Sequence, residues 1–259
     1  MRKKIIFCLL ILFWFINKDK KEYFINNQEN IYSNKLTIKN IDNIKKGQKI
    51  MSNMLKSVDI LCINNNINYW CLGGTLIGVL RHKGWIPWDA DIDIGMLEKD
   101  YNNFKSVVNQ LPNNIHFSEP KNKPCFKLRS AEAKYTYADW AQKDDLNKGI
   151  QLDIFLYKNN NGIIVPHKNN YLGNICGVPD KKKRFFNDIF PLKREKFEDF
   201  LVYIPNKYKK ISEEMWGGYP PKMIPREKRL PHEGNIQIIE NNFSNTKIIN
   251  NYGLIIQQK

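Results

Sequence analysis

Residues 70–95 read Trp70-Cys71-Leu72-Gly73-Gly74-Thr75-Leu76-Ile77-Gly78-Val79-Leu80-Arg81-His82-Lys83-Gly84-Trp85-Ile86-Pro87-Trp88-Asp89-Ala90-Asp91-Ile92-Asp93-Ile94-Gly95. The order of residue types in this run decides the fold class. Asn68 to Leu72 is apolar and aromatic enough for a buried strand, and the Gly73-Gly74 pair ends it sharply. Without a Cβ, those two residues let the backbone turn tightly and bring its N–H groups close to a ligand. Thr75 then reads as the N-cap of a short helix carrying Leu76, Ile77, Val79 and Leu80, with Gly84 as its stop. Arg81, His82 and Lys83 would lie in its last turn, where cations complement the dipole. The helix start, with unpaired N–H groups and a positive dipole end, favours an anion such as phosphate.

After Pro87 the pattern changes to alternation, with Asp89, Asp91 and Asp93 set against Ala90, Ile92 and Ile94. Residues two apart in a strand face the same way, so the carboxylates would share one face while the isoleucines enter the core. Three like charges that close repel one another unless a cation neutralises them. Carboxylate oxygens suit Mg2+ or Mn2+, which bridge readily to phosphates. A solvated acidic edge is the plainer alternative, but interleaved isoleucines do not belong in a simple loop.

Gly149-Ile150-Gln151-Leu152-Asp153-Ile154-Phe155 alternates in the same way, with Asp153 on the face opposite Ile150, Leu152 and Ile154. A lone strand aspartate is more often a satisfied hydrogen-bond acceptor than a functional group. Between the two acidic stretches, 98–111 has helical spacing and 126–129 and 134–140 read as strands, with Lys127 or Arg129 facing a phosphate. Upstream, Ile41, Ile44, Met51, Met54, Leu55, Val58 and Leu61 recur at helical spacing, weakened in the middle by Gly47. Strand, helix, strand and helix in succession imply an α/β (α+β) fold with a mixed sheet.

The segment GGTLIGVLRHKGWIPWDADIDIG resembles the signature of the LicD/fukutin-related phosphotransferases, which look like divergent nucleotidyltransferases. Resemblance in pieces extends from about residue 50 to 222, through the stretches at 188–198, 204–206 and 215–219. It implies a nucleotidyltransferase-like sheet flanked by helices, and it gives Asp153 a place as third carboxylate beside Asp91 and Asp93. It further implies a CDP-linked donor of phosphocholine or a polyol phosphate, a glycan or glycoconjugate acceptor, and Mg2+ or Mn2+ held by Asp91, Asp93 and Asp153. Gly73, Gly74, Thr75 and Arg81 would seat the donor's phosphates, and Asp153 would serve as ligand or base. Lys193 and Arg194 read equally as phosphate contacts or as a solvated pair.

Chain-wide features bound the reading. A length of 259 residues with 42% hydrophobic content suits one domain with a sizeable core. The net charge of +15 raises a nucleic-acid-binding alternative, but attraction of phosphate-bearing substrates fits the acidic and glycine motifs better, and no nucleic-acid partner is expected. A glycosyltransferase using Asp91 and Asp93 with a nucleotide-sugar is the other alternative. Met1-Arg2-Lys3-Lys4 followed by an apolar run from Ile5 to Ile16 reads as a signal anchor or signal peptide over 1–17. That run is short of the roughly 20 residues a spanning helix needs. It would make the chain a single-pass type II membrane protein facing the lumen of the Golgi or endoplasmic reticulum, or a secreted one after cleavage. Residues 18–39 read as a stem, 40–225 as the catalytic domain and 226–259 as an extension with no assigned role. The five cysteines, Cys8, Cys62, Cys71, Cys125 and Cys176, have no zinc-type spacing, and no Ser/His/Asp grouping or P-loop is present.

Overall fold

The structure is a computed structural model and describes residues 38–118, 126–135, 149–167, 182–223, 236–239, 248–249 and 255–257. Two compact units, 1–39 and 40–259, divide the chain, and the described elements fall in the second apart from the first two residues of the opening helix. The anchor and stem segments lie outside the described residues. Among the described residues no helix is long and apolar enough to cross a membrane.

Helix α1, Ile38–Asn64, extends the expected 41–62 stripe at both ends. Met51, Met54, Leu55, Val58, Leu61 and Cys62 are each at most 5% exposed and form one wall of the core. Truncating such a side chain, as in Met54→Ala, costs about 2–5 kcal/mol. Gly47 has a tertiary reason for being where it is: a Cβ there would lie 2.5 Å from the Ile236 side chain, so the bare backbone admits a neighbour.

β1, Trp70–Cys71, pairs antiparallel with β2, Ile92–Leu97. Between them α2 spans Gly73–His82. Helix α3, Glu98–Val107, ends in a 3-10 turn over Val108–Gln110, so the expected 98–111 helix tightens in its last turn. β3, Ile115–Ser118, and β5, Gly149–Asn160, flank β4, Phe126–Tyr135. The two short strands expected at 126–129 and 134–140 are joined: β4 is continuous to Tyr135, with a register shift between Ser130 and Lys134. β6, Ile163–Pro166, returns along β5, and β7, Arg184–Phe185, pairs with β6. The sheet is mixed, because β2 and β5 run parallel and the other pairs antiparallel.

Helix α4, Phe186–Ile189, leads to a separate hairpin of β8, Lys193–Phe197, and β9, Phe200–Ile204. Helix α5 follows at Tyr208–Trp216. β10, Ile236–Ile238, joins the main sheet beside β4, so a strand from beyond residue 225 belongs to that sheet. β11, Ile248–Ile249, and β12, Ile255–Gln257, form a small two-stranded ladder.

The α2 C-terminus departs from the sequence expectation. Lys83, not Gly84, takes the left-handed position, with φ of 56°. The chain then folds back so that Gly84 N donates to Gly78 O at 3.4 Å. A Cβ on Gly78 would lie 2.4 Å from the Gly84 carbonyl oxygen, which is backbone and yields poorly. Gly78→Ala should therefore destabilise by about 1–3 kcal/mol, read as a lower urea midpoint at unchanged slope.

Asp188 fastens α4 to α5. It is 2% exposed and accepts from Phe185 N, at 3.3 Å, while the Lys207 and Lys210 ammonium groups lie 3.1 and 3.0 Å from its oxygens. Burial pushes its carboxyl up, but the bonds from Lys210 and Lys207 outweigh that and hold it below the ordinary value of 3.8. A lowered folded value stabilises above the unfolded one, and the contribution disappears as pH falls through the folded value. The stability gap between wild type and Asp188→Asn should be fully open above the ordinary value of 3.8 and should shrink as the pH falls below it, as read from urea midpoints. Burial holds the His116 imidazole below its ordinary 6.5, so charging it adds a second loss, one that begins as pH falls through the unfolded value.

Candidate active site

The α2 N-terminus and the two acidic strands meet because β1 and β2 remain paired up to the helix. Leu72 N donates to Asp93 O at 3.0 Å, which sets the first turn of α2 beside Asp93. Gly73 has φ of 47°, a left-handed conformation that side chains resist, so the turn needs its glycine. Thr75 is not the N-cap: α2 begins at Gly73, Leu72 holds the cap position, and no side chain caps it. Thr75 Oγ1 instead accepts from Asp93 N at 2.9 Å, tying the helix start to the acidic strand.

The expected alternation over Asp89, Asp91 and Asp93 holds only in part. The strand begins at Ile92, with Asp93 half-buried on one face and Ile92 and Ile94 buried on the other. Asp91, 9% exposed, lies just ahead of it. Asp89 falls in the preceding turn, with its N–H bonded to Ile86 O at 3.0 Å and its carbonyl accepting from Gln48 Nε2 at 2.9 Å. A Cβ on Gly74 would lie 2.5 Å from Asp89 Oδ2, so this carboxylate rests against the helix start. That position suits an anion, because the dipole there is positive. The second glycine thus makes room for an internal carboxylate, a role its neighbours in sequence did not indicate.

The third carboxylate comes from β5. Parallel pairing puts Asp153 directly beside Asp93, and antiparallel pairing puts Lys127 of β4 directly beside Asp153. The three side chains form a row across three strands on one face. Asp91, Asp93 and Asp153 each offer an oxygen within 4.8 Å of the others, an arrangement able to hold a metal ion. An all-oxygen carboxylate set of this size fits a hard divalent cation, Mg2+ or Mn2+. Lys127 Nζ donates to both oxygens of Asp153, at 2.5 and 2.7 Å, and Gln151 Nε2 approaches Oδ2 at 3.4 Å.

Other candidates are placed elsewhere. Arg129 is 7% exposed and donates to Gly149 O at 2.9 Å, two register positions from Lys127. Arg81 stands eight residues along α2 from Gly73, roughly 12 Å at helical rise. Its guanidinium donates to the carbonyls of Pro221 and Lys222, at 3.3 and 2.8 Å, and to His82 Nε2 at 2.9 Å. Burial and Arg81 together hold the His82 imidazole below its ordinary value, in keeping with a neutral ring that accepts that bond. Arg194 is neither a solvated residue nor a group in the acidic row: it is paired through both terminal nitrogens with the buried Asp59. Lys193 remains at the surface, 5.4 Å from the Tyr208 ring centre. Cys62 and Cys71 are free and buried, and burial pushes both thiols up.

Comparison with known proteins follows the same residues. The family model described as LicD/FKTN/FKRP, nucleotidyltransferase domain, matches residues 66–207, which contain the glycine turn and the three carboxylates. An uncharacterized protein of Rickettsia prowazekii is 27% identical over 243 residues, covering 90% of this chain and 77% of that protein. The lipopolysaccharide cholinephosphotransferase LicD of Haemophilus influenzae is 44% identical over 64 residues, covering 25% of this chain and 24% of LicD. The human ribitol 5-phosphate transferase FKRP is 25% identical over 151 residues, covering 58% of this chain and 28% of FKRP. The chain therefore spans about a quarter of the length of each of these two named transferases.

Proposed function

The chain belongs to the LicD/FKTN/FKRP family of nucleotidyltransferase domains, and on that premise we propose that it transfers a phospho-alcohol group from a CDP-linked donor to a hydroxyl of a glycan or glycoconjugate. The observation that carries this reading is the convergence of Asp91, Asp93 and Asp153 beside the start of α2. Relatives named as a cholinephosphotransferase and a ribitol 5-phosphate transferase support phosphocholine or a polyol phosphate as the group moved. Asp91, Asp93 and Asp153 would hold Mg2+ or Mn2+, which would supply positive charge to screen the donor's phosphates.

The chain's own groups do the rest. The N–H groups of Gly73, Gly74 and Thr75, which a helix start leaves without intrahelical partners, lie where a phosphate oxygen is welcome, and Asp89 rests against that start. Thr75 fixes the backbone of Asp93 and so the direction of its carboxylate. Asp153 accepts the proton of the attacking hydroxyl as the new P–O bond forms and CMP leaves. Arg81 acts through structure, holding residues 221–222 against the far end of α2. The N-terminal segment 1–17 places this chemistry at a membrane, which carbonate extraction of the expressed full chain tests.

The decisive experiment incubates the full chain with Mg2+ or Mn2+, a glycan acceptor and a panel of CDP-choline, CDP-polyols and UDP-sugars. CMP release from one CDP-alcohol, absent with Asp91→Asn, is the expected outcome. UDP release from a sugar nucleotide would replace this reading with glycosyl transfer.

A further inference from the structure

We propose that Lys127 is the resident counter-ion of the acidic row, a positioning residue that a divalent cation must displace from Asp153. This rests on the reading of Asp91, Asp93 and Asp153 as a cation site. Its own support is the cross-strand register that sets Lys127, Asp153 and Asp93 side by side. Directly opposite cross-strand neighbours lie close enough for opposite charges to pair. The Lys127 ammonium touches both oxygens of Asp153, at 2.5 and 2.7 Å, with the two side chains only 12% and 13% exposed. A flexible lysine at the surface would spread over many rotamers, whereas this one is committed to a single carboxylate.

The consequence is electrostatic. The three carboxylates draw a divalent cation to the row. Such an ion enters next to a positive charge already bonded to one of its own ligands, in a half-buried place where screening is weak. Lys127 therefore keeps the metal-free row together and also holds down its affinity for the bare ion. Once displaced, the ammonium needs a new anion, and a phosphate of the incoming donor is the chemical class that supplies it. Metal and donor are thereby favoured together over the metal alone, as reciprocal linkage requires.

The test titrates the full chain with Mn2+ and no nucleotide, using electron paramagnetic resonance or calorimetry. Lys127→Met should bind Mn2+ about tenfold or more tightly than wild type, whereas Lys127→Arg, which keeps the charge, should stay close to wild type. Without metal, Lys127→Met should melt below wild type, because Asp153 loses its counter-ion, and it should gain more from added Mn2+. Lys127→Gln repeats the measurement with a polar side chain in case the methionine variant folds poorly. Weaker or unchanged Mn2+ binding in both neutral variants overturns the proposal. Mn2+ binding that survives Asp91→Asn would instead sink the cation-site reading beneath it.

Discussion

Asp93→Asn is expected to lower the transfer rate by about a thousandfold, on the order of 4 kcal/mol of transition-state stabilisation. The amide keeps the size of the side chain and removes only the charge. Two bonds that tie the strand to the start of α2 are made by the Asp93 backbone, whose N–H donates to Thr75 Oγ1 and whose carbonyl accepts from Leu72 N. Neither needs the carboxylate. The variant should consequently keep its fold, with a metal-free melting temperature close to wild type, because those two backbone bonds remain. Loss of rate with retained stability separates a site defect from a folding defect, and CMP release beside a thermal melt reads both. A rate close to wild type would remove the acidic row from the reaction.

Asp59→Ala is expected to cost about 3–5 kcal/mol of folding free energy. Asp59, 5% exposed, binds Arg194 through both carboxylate oxygens and also accepts from Tyr69 Oη at 2.7 Å. Arg194 in turn lies 4.3 Å from the Tyr203 ring centre and donates to Leu201 O at 2.6 Å. One carboxylate on α1 thus secures the β8–β9 hairpin, and Tyr69 just ahead of β1, to the rest of the domain. Removing it leaves the fully buried Tyr69 hydroxyl without that acceptor and the guanidinium without its charge partner. Arg194 is 28% exposed at its side chain, so water recovers part of the loss, which favours the lower end of the range. The double variant Asp59→Leu with Arg194→Met should recover much of the stability, because replacing both ions with apolar groups avoids the orphaned charge. Urea midpoints measure both changes. If the double variant is no better than Asp59→Ala, the network acts by some means other than charge pairing.

Local pattern was sufficient for several elements. Alternation of Ile92 and Ile94 with Asp93, and of Ile150, Leu152 and Ile154 with Gln151 and Asp153, fixed the inward face of β2 and β5, because a strand's period of two is a property of adjacent residues. The stripe of Met51, Met54, Leu55 and Val58 fixed α1 for the same reason at helical period. The glycine pair marked the strand-to-helix turn, but both ends of α2 differ from the local pattern: Thr75 is a cap by residue type, yet the helix begins at Gly73, and Lys83 in place of Gly84 takes the left-handed position at its end.

The arrangement of the site was a different matter. Asp153 lies opposite Asp93 only because β2 and β5 pair in parallel at that register, and Lys127 meets Asp153 only because β4 runs antiparallel on the other side. No local period encodes such pairings; they follow from which apolar faces bury together, and a slip of one residue would turn each side chain to the opposite face. Asp89 shows the same limit, since its spacing placed it with Asp91 and Asp93 but a turn carried it to Gly74. By itself, then, the sequence determined which residues face inward and which carry charge. Only the packed sheet decided which charges meet, because contacts between distant segments depend on the shared burial of the whole core.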